Sequence, residues 1–201
     1  MTPGGDVSGC DPTDPRVERS RRVILDATLD ELGEVGYGAM TIESIAKRAG
    51  VGKATIYRHW NGKLDLVESA LDAMKDHLPT PGEGNARDRL IELLRSLVAY
   101  LTAPPASECL PAIVSAAHYD PAVRAFHLRF SAERRAVVVD IVEQGRRNGE
   151  VGGDVDAELA VEMLVGPIFY RSLMTDRRFT VDEVEPLVDA ALRATGAKMH
   201  P

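Results

Sequence analysis

Residues 41–63 read TIESIAKRAGVGKATIYRHWNGK, and the spacing of their apolar side chains predicts two short helices joined by a tight turn. Thr41 is placed to cap the first helix, Glu43 lies in its first turn where the helix dipole favours an acid, and Ile42, Ile45, Ala46 and Ala49 share one face. Gly50 ends that helix. The second begins after Gly52, and Ile56 and Trp60, one turn apart, form its buried edge. Its opposite face is then Ala54, Thr55 and Arg58.

A helix that enters the major groove of DNA must present donors and small side chains to base edges, flanked by groups that hold phosphates. Arg58 and Thr55 supply donors, Ala54 permits close approach, and Tyr57 and His59 stand on the two shoulders. Lys53 reaches out from the helix start, and Lys63 opens the next helix, where free backbone amides also favour phosphate. In this stretch Lys47, Arg48, Lys53, Arg58 and Lys63 stand against Glu43 alone, a local charge of +4 in a chain whose net charge is −7. A basic island in an acidic chain points to a polyanionic partner more strongly than a uniformly basic composition would. The bland alternative for the same residues is a solvated helix pair on an ordinary bundle.

The longer run EVGYGAMTIESIAKRAGVGKATIYRHWNGKLDLV resembles the N-terminal domain of tetracycline-repressor (TetR) family regulators. Gly36 and Tyr37, Thr41, Ile45-Ala46, Ala49-Gly50-Val51, Ile56-Tyr57, His59 and Lys63 carry the likeness, over about a third of the chain. Trp60 stands where the family usually has Phe, and Gly52 stands where Ser is common, which removes a hydroxyl able to cap the helix or touch a phosphate. The resemblance implies a homodimeric repressor that binds a palindromic double-stranded DNA operator, is released by a small-molecule effector, and uses no cofactor or metal.

Length and composition bound the alternatives. At 201 residues and 44% hydrophobic content the chain can bury a sizeable core. Cys10 and Cys109 form no metal-ligand spacing, so reduced thiols in a cytoplasm are the expectation. The opening MTPGGDVSGCDPTDP, residues 1–15, has no apolar core; it is expected to be a disordered tail, neither a secretion signal nor a membrane anchor. No nucleophile elbow, phosphate-binding glycine loop, zinc spacing or paired-carboxylate motif supports an enzyme. A helical ligand-binding or interaction protein without operator binding remains the other alternative.

Outward from the central stretch the pattern is helical throughout, with no strand-like alternation. Arg16, Arg19, Arg21 and Arg22 set four cations against Glu18 before a helix that buries Leu25, Leu29, Leu32 and Val35 and closes at Gly36. Leu64, Val67, Leu71, Met74 and Leu78 mark a connecting helix over 63–78, stopped by Pro79, and PTPGEGN, residues 79–85, is the candidate linker. Leu90, Leu94, Leu97 and Leu101 mark the next helix, TAPPASE interrupts, and Leu110, Ile113 and Ala117 mark another. Asp120-Pro121 opens a long helix carrying Val123, Phe126, Phe130, Val137 and Ile141 that runs out at Arg147-Asn148-Gly149. A helix over 157–175 contains Gly166-Pro167 as a predicted kink, and the last begins at Thr180, with Glu183 completing a capping box and Pro186 inside.

The expected architecture is all-α: a three-helix DNA-binding domain over residues 16–62 and a C-terminal helical bundle over 63–201 for ligand binding and dimerisation. The family likeness places an interface with a second subunit on the last two long helices, where Leu164, Ile168, Leu187, Ala190 and Ala191 are candidates. It places an effector pocket among the middle helices, where Tyr100, Cys109, His118, Tyr119, Phe126, His127, Met163 and Tyr170 offer aromatic and mildly polar lining.

Overall fold

The computed structural model describes residues 15–75, 82–153 and 156–196. The tail over 1–14, the end of the connecting helix at 76–78 and the first linker residues 79–81 lie outside the described residues. Nine α-helices follow in order among them: α1 Pro15–Ala39, α2 Ile42–Ala49, α3 Lys53–Tyr57, α4 Lys63–Lys75, α5 Ala86–Thr102, α6 Ala106–Tyr119, α7 Pro121–Arg147, α8 Ala157–Met174 and α9 Val184–Ala194. A single 3₁₀ turn, Val181–Glu183, leads into α9, and the described residues contain no strand. No single described helix is long and apolar enough to cross a membrane.

Short polar side chains start several of these helices. The Asn85, Asp120 and Asp156 side chains accept hydrogen bonds from the first free amides of α5, α7 and α8, and Pro121 occupies the first turn of α7, where its missing N–H costs nothing. Thr180 and Glu183 form the capping box read from the sequence, but it caps the 3₁₀ turn, and Pro186 then falls in the first turn of α9. Pro167 lies inside α8, which continues from Ala157 to Met174 as one helix.

Glu183 also accepts hydrogen bonds from Arg171 (2.8 Å) and Arg177 (2.7 Å), tying α8, the following loop and α9 together. The Arg171 guanidinium and the Thr180 amide hold its carboxyl down at about 2. A carboxylate with a depressed folded pKa contributes stability above its unfolded pKa, near 4.5, and loses that contribution as pH falls through the folded value. Stability is therefore expected to drop between pH 4.5 and about 2 in urea titrations, with a shallower drop in Glu183→Gln.

Two cores form, and the linker does not divide them. The first gathers Ile24, Leu29 and Leu32 of α1, Ile45, Ile56, Trp60, and Leu66, Val67 and Ala70 of α4. It then continues into Ala106, Cys109, Ile113 and Ala117 of α6 and Val123 and Phe126 of α7. The second joins α5, the C-terminal half of α7, α8 and α9 around Leu90, Leu94, Ile141, Val161, Leu164 and Val188. Tyr100 packs against both.

Two valines expected inside are outside. Val35 is exposed because it follows Leu32 at the point where Gly36, with φ of 75°, turns the chain away from the core. Val137 is exposed because α7 changes partners along its 27 residues. Its first half buries Val123 and Phe126 in the first core, whereas its second half buries Val138, Ile141 and Val142 in the other, so the inward stripe shifts round the helix.

α1 and α6 approach so closely that a Cβ added at Gly33 would lie 2.9 Å from Cβ of Glu108. Gly33→Val is accordingly expected to cost about 2 kcal/mol by overpacking, read as a lowered urea midpoint; an unchanged midpoint would mean that α6 moves aside freely.

Candidate nucleic-acid interface

The turn geometry that the sequence required is present. Thr41 Oγ1 accepts from the Ser44 amide at 3.0 Å, and Ser44 Oγ accepts from the Thr41 amide at 3.0 Å, so both partners in the box are hydroxyls. Gly50 adopts the left-handed conformation, φ 67° and ψ 30°, that ends α2 and turns the chain toward α3. Gly52 precedes α3 with no side-chain cap.

Ile56 is wholly buried and Trp60 is 3% exposed. Trp60 lies beyond the end of α3, but its amide still donates to the Ile56 carbonyl at 3.0 Å, so it keeps the helical register. With that edge turned inward, Ala54 and Arg58 are exposed, Thr55 is half-buried, and Tyr57 (58% exposed) and His59 flank them. Among the described residues Arg58 has neither an ion-pair nor a hydrogen-bond partner.

The cations around this face differ in what they hold. Lys53 is exposed and 3.2 Å from Glu43, a surface pair worth little that a phosphate can displace. Arg48 is turned the other way: its Nε donates to Glu31 at 3.0 Å, and its two terminal nitrogens grip Glu34. It braces α2 against α1, so the basic island is smaller in space than in sequence. Arg21, near the start of α1, lies 5.9 Å from the Trp60 ring centre.

Lys63, expected to hold a phosphate, is half-buried instead. Its Nζ donates to the carbonyls of Tyr37 (2.7 Å) and Met40 (3.2 Å) and lies 4.2 Å from the Tyr37 ring centre. Burial pulls its pKa down, while Asp120 opposes that shift. Two of three ammonium donors thus tie α4 to the end of α1, leaving one for a phosphate. Lys63→Met is expected to lower stability by about 1 to 3 kcal/mol, since it strands two carbonyls; thermal unfolding checks this.

The candidates in the second domain scatter. Cys109 is buried, its Sγ 3.4 Å from the Leu29 carbonyl, and burial pushes its thiol up to about 12. That removes it as a reactive thiol at neutral pH. Phe126 packs in the first core, 5.4 Å from Phe130. His118 and Tyr119 lie outside, stacked edge-on to each other, and Tyr119 is 83% exposed. Tyr100, His127 and Met163 are half-buried, and Tyr170 is on the outer surface of α8. Two open clefts, about 430 and 500 Å³, are lined by α7 and α8 and by the 82–84 segment with Arg89 and Gln144; none of these eight residues lines either.

On the last two helices the candidates also divide. Leu164, Ile168 and Ala191 were expected against a second subunit but are buried within one, because α8 and α9 turn these side chains into the second core. Leu187 is half-buried and Ala190 exposed. The apolar side chains that α8 leaves outside are Leu159, Tyr170 and Met174.

Sequence comparison adds an independent line. Residues 24–70 match the family model described as bacterial regulatory proteins, tetR family, and residues 80–191 match the tetracyclin repressor-like C-terminal domain. The chain is 32% identical to the uncharacterized HTH-type transcriptional regulator YdeS of Bacillus subtilis over 91% of this chain and 93% of that one. It is 27% identical to the regulator AqdR of Rhodococcus erythropolis, covering 80% and 79%. Among solved structures, a TetR transcription regulator from Haloarcula marismortui superposes with a TM-score of 0.69 at 25% identity, covering 91% and 100%. The regulator FadR of Bacillus subtilis, solved in complex with stearoyl-CoA, shares the fold with a TM-score of 0.69 at 20% identity, covering 89% and 99%. With the buried edge and exposed face of its helix-turn-helix in place and both halves matched, the chain belongs to the TetR family of DNA-binding transcriptional regulators.

Proposed function

We propose that the protein is a homodimeric repressor in which two copies of α3 read the half-sites of a palindromic operator, and in which a small molecule bound in the helical body releases the DNA. The observation that carries the DNA part is the burial of Ile56 and Trp60, which leaves Ala54, Thr55 and Arg58 to face a groove. Lys53 and the remaining Lys63 donor are the phosphate-holding groups, and Tyr57 and His59 extend the contact on either side. The exposed Leu159, Tyr170 and Met174 of α8, with Leu187 and Ala190 of α9, favour a two-fold interface of four helices.

Release follows from where the first core ends. α6 lies along α1 and shares its core, so a ligand that shifts α6 or α7 also tilts the DNA-binding head. Such a ligand works as a population shift: it binds better to a form whose two heads are wrongly spaced for the operator. A gel-shift assay on the duplex upstream of the protein's own gene tests the reading. Retardation with two chains per palindrome is the expected result; a shifted species containing one chain would remove the dimer.

A further inference from the structure

The seam where the two cores meet holds an arginine that has no counter-charge in contact among the described residues. Arg134, half-way along α7, has Nε and Nη2 closed off from solvent, and neither makes a hydrogen bond among the described residues. Two other arginines carry buried unpartnered nitrogens, but each has another nitrogen engaged: Arg89 Nη1 donates to Gln144 at 2.6 Å, and Arg146 Nη1 donates to Glu143 at 3.2 Å. The Arg134 guanidinium lies 4.6 Å from the Phe130 ring centre and 5.5 Å from the Tyr100 ring centre. The Tyr100 hydroxyl lies 3.9 Å from the Met74 sulfur. An aromatic wall from α5 and α7, backed by the Met74 thioether of α4, therefore lies against a half-buried cation at the junction of head and body.

That arrangement is costly as it stands. Aromatic faces recover part of the lost hydration of a guanidinium, but they satisfy no N–H donor. Asp72 and Glu133 act on Arg134 only as longer-range attractions that oppose the effect of burial. Deprotonation offers no escape, because arginine keeps its proton at any physiological pH. What the site lacks is a planar acceptor able to take two parallel N–H bonds in an apolar surrounding.

The geometry points to Arg134 as the anion-recognising residue of the effector site, and to the effector as a small carboxylate with an apolar body that lies against Tyr100, Phe130 and Met74. This deepens the ligand-released regulator proposed above and rests on that reading. Entry of such a ligand at the seam pairs the half-buried cation and parts α4 from α7, a second contact between head and body beside the packing of α6 on α1. The carboxylate then favours the parted form over the closed one, which is the difference in affinity that release requires.

The test uses the full chain with octanoate and phenylacetate as probes, and 1-octanol and 2-phenylethanol as neutral counterparts of matched shape. Thermal unfolding of the wild type is expected to rise by about 4 °C or more with at least one carboxylate and by much less with its alcohol. In Arg134→Met the carboxylate shift should vanish, and in Arg134→Lys, which keeps the charge but not the fork, it should persist at reduced size. No carboxylate shift in the wild type, equal shifts with the alcohols, or an undiminished shift in Arg134→Met would each overturn the assignment. Duplex retardation on the same samples separates the two readings: a wild type that binds DNA but ignores the carboxylates removes the Arg134 assignment alone, whereas a wild type that binds no DNA removes the regulator.

Discussion

Trp60→Ala is expected to lower the free energy of unfolding by on the order of 3 kcal/mol, and to abolish DNA binding only because the head loses its shape. Trp60 is 3% exposed, its amide donates to Ile56, and the His59 ring meets its edge at 5.6 Å. It is the last anchor of a recognition helix only five residues long, which cannot hold itself together in water. Removing it leaves a cavity beneath the turn between α3 and α4 and frees the reading face to wander. Trp60→Phe keeps most of the apolar volume and should cost less than about 1.5 kcal/mol. Urea denaturation of the three proteins orders them; a Trp60→Ala midpoint equal to wild type would mean that α3 is held by something other than this ring.

Arg58→Ala is expected to do the reverse, weakening operator binding by about 1 to 3 kcal/mol for each half-site while changing stability by no more than about 0.5 kcal/mol. Arg58 is exposed, and no described residue pairs with it, so the folded protein loses nothing by its removal. Arg48 serves as the control. It is equally basic and close by in sequence, yet it is bound to Glu31 and Glu34, so Arg48→Ala should destabilise the head first. Anisotropy titrations paired with melting curves distinguish the two roles. Equal affinity for Arg58→Ala and wild type would take Arg58 off the reading face.

These contrasts show which parts of the chain declare themselves locally. The helix-turn-helix was legible because its signals lie within one or two turns of each other: Thr41 and Gly50 mark the ends of α2, and Ile56 and Trp60 fix the inward edge. The all-helical order, the Asp120-Pro121 start of α7 and the Thr180 capping box were legible for the same reason. What escaped was decided by partners far along the chain. Arg48 finds Glu31 and Glu34 across 17 and 14 residues, and Lys63 finds the carbonyls of Tyr37 and Met40 across 26 and 23.

The same distance hid the seam. α6 reads as an ordinary body helix, yet Cys109 and Ile113 complete the core of the head, which only the close approach at Gly33 makes possible. Leu164 and Ile168 could not be told from interface residues, because α8 also carries apolar side chains on its outer face and no single stripe marks its inside. Arg134 gave no sign at all. One charged residue in a long amphipathic helix is ordinarily solvated, and only the meeting of α4, α5 and α7 closes off two of its nitrogens.

The most direct measurement is the affinity of the full chain for duplex DNA from upstream of its own gene, at about 50 mM and about 200 mM monovalent salt. Groove binding by α3 with about six phosphate contacts in the dimer predicts tight binding at the lower concentration and a loss of about 10³-fold at the higher. Binding absent at low salt, or present and indifferent to salt, would contradict the assignment of Ala54, Thr55 and Arg58 as the face that meets DNA.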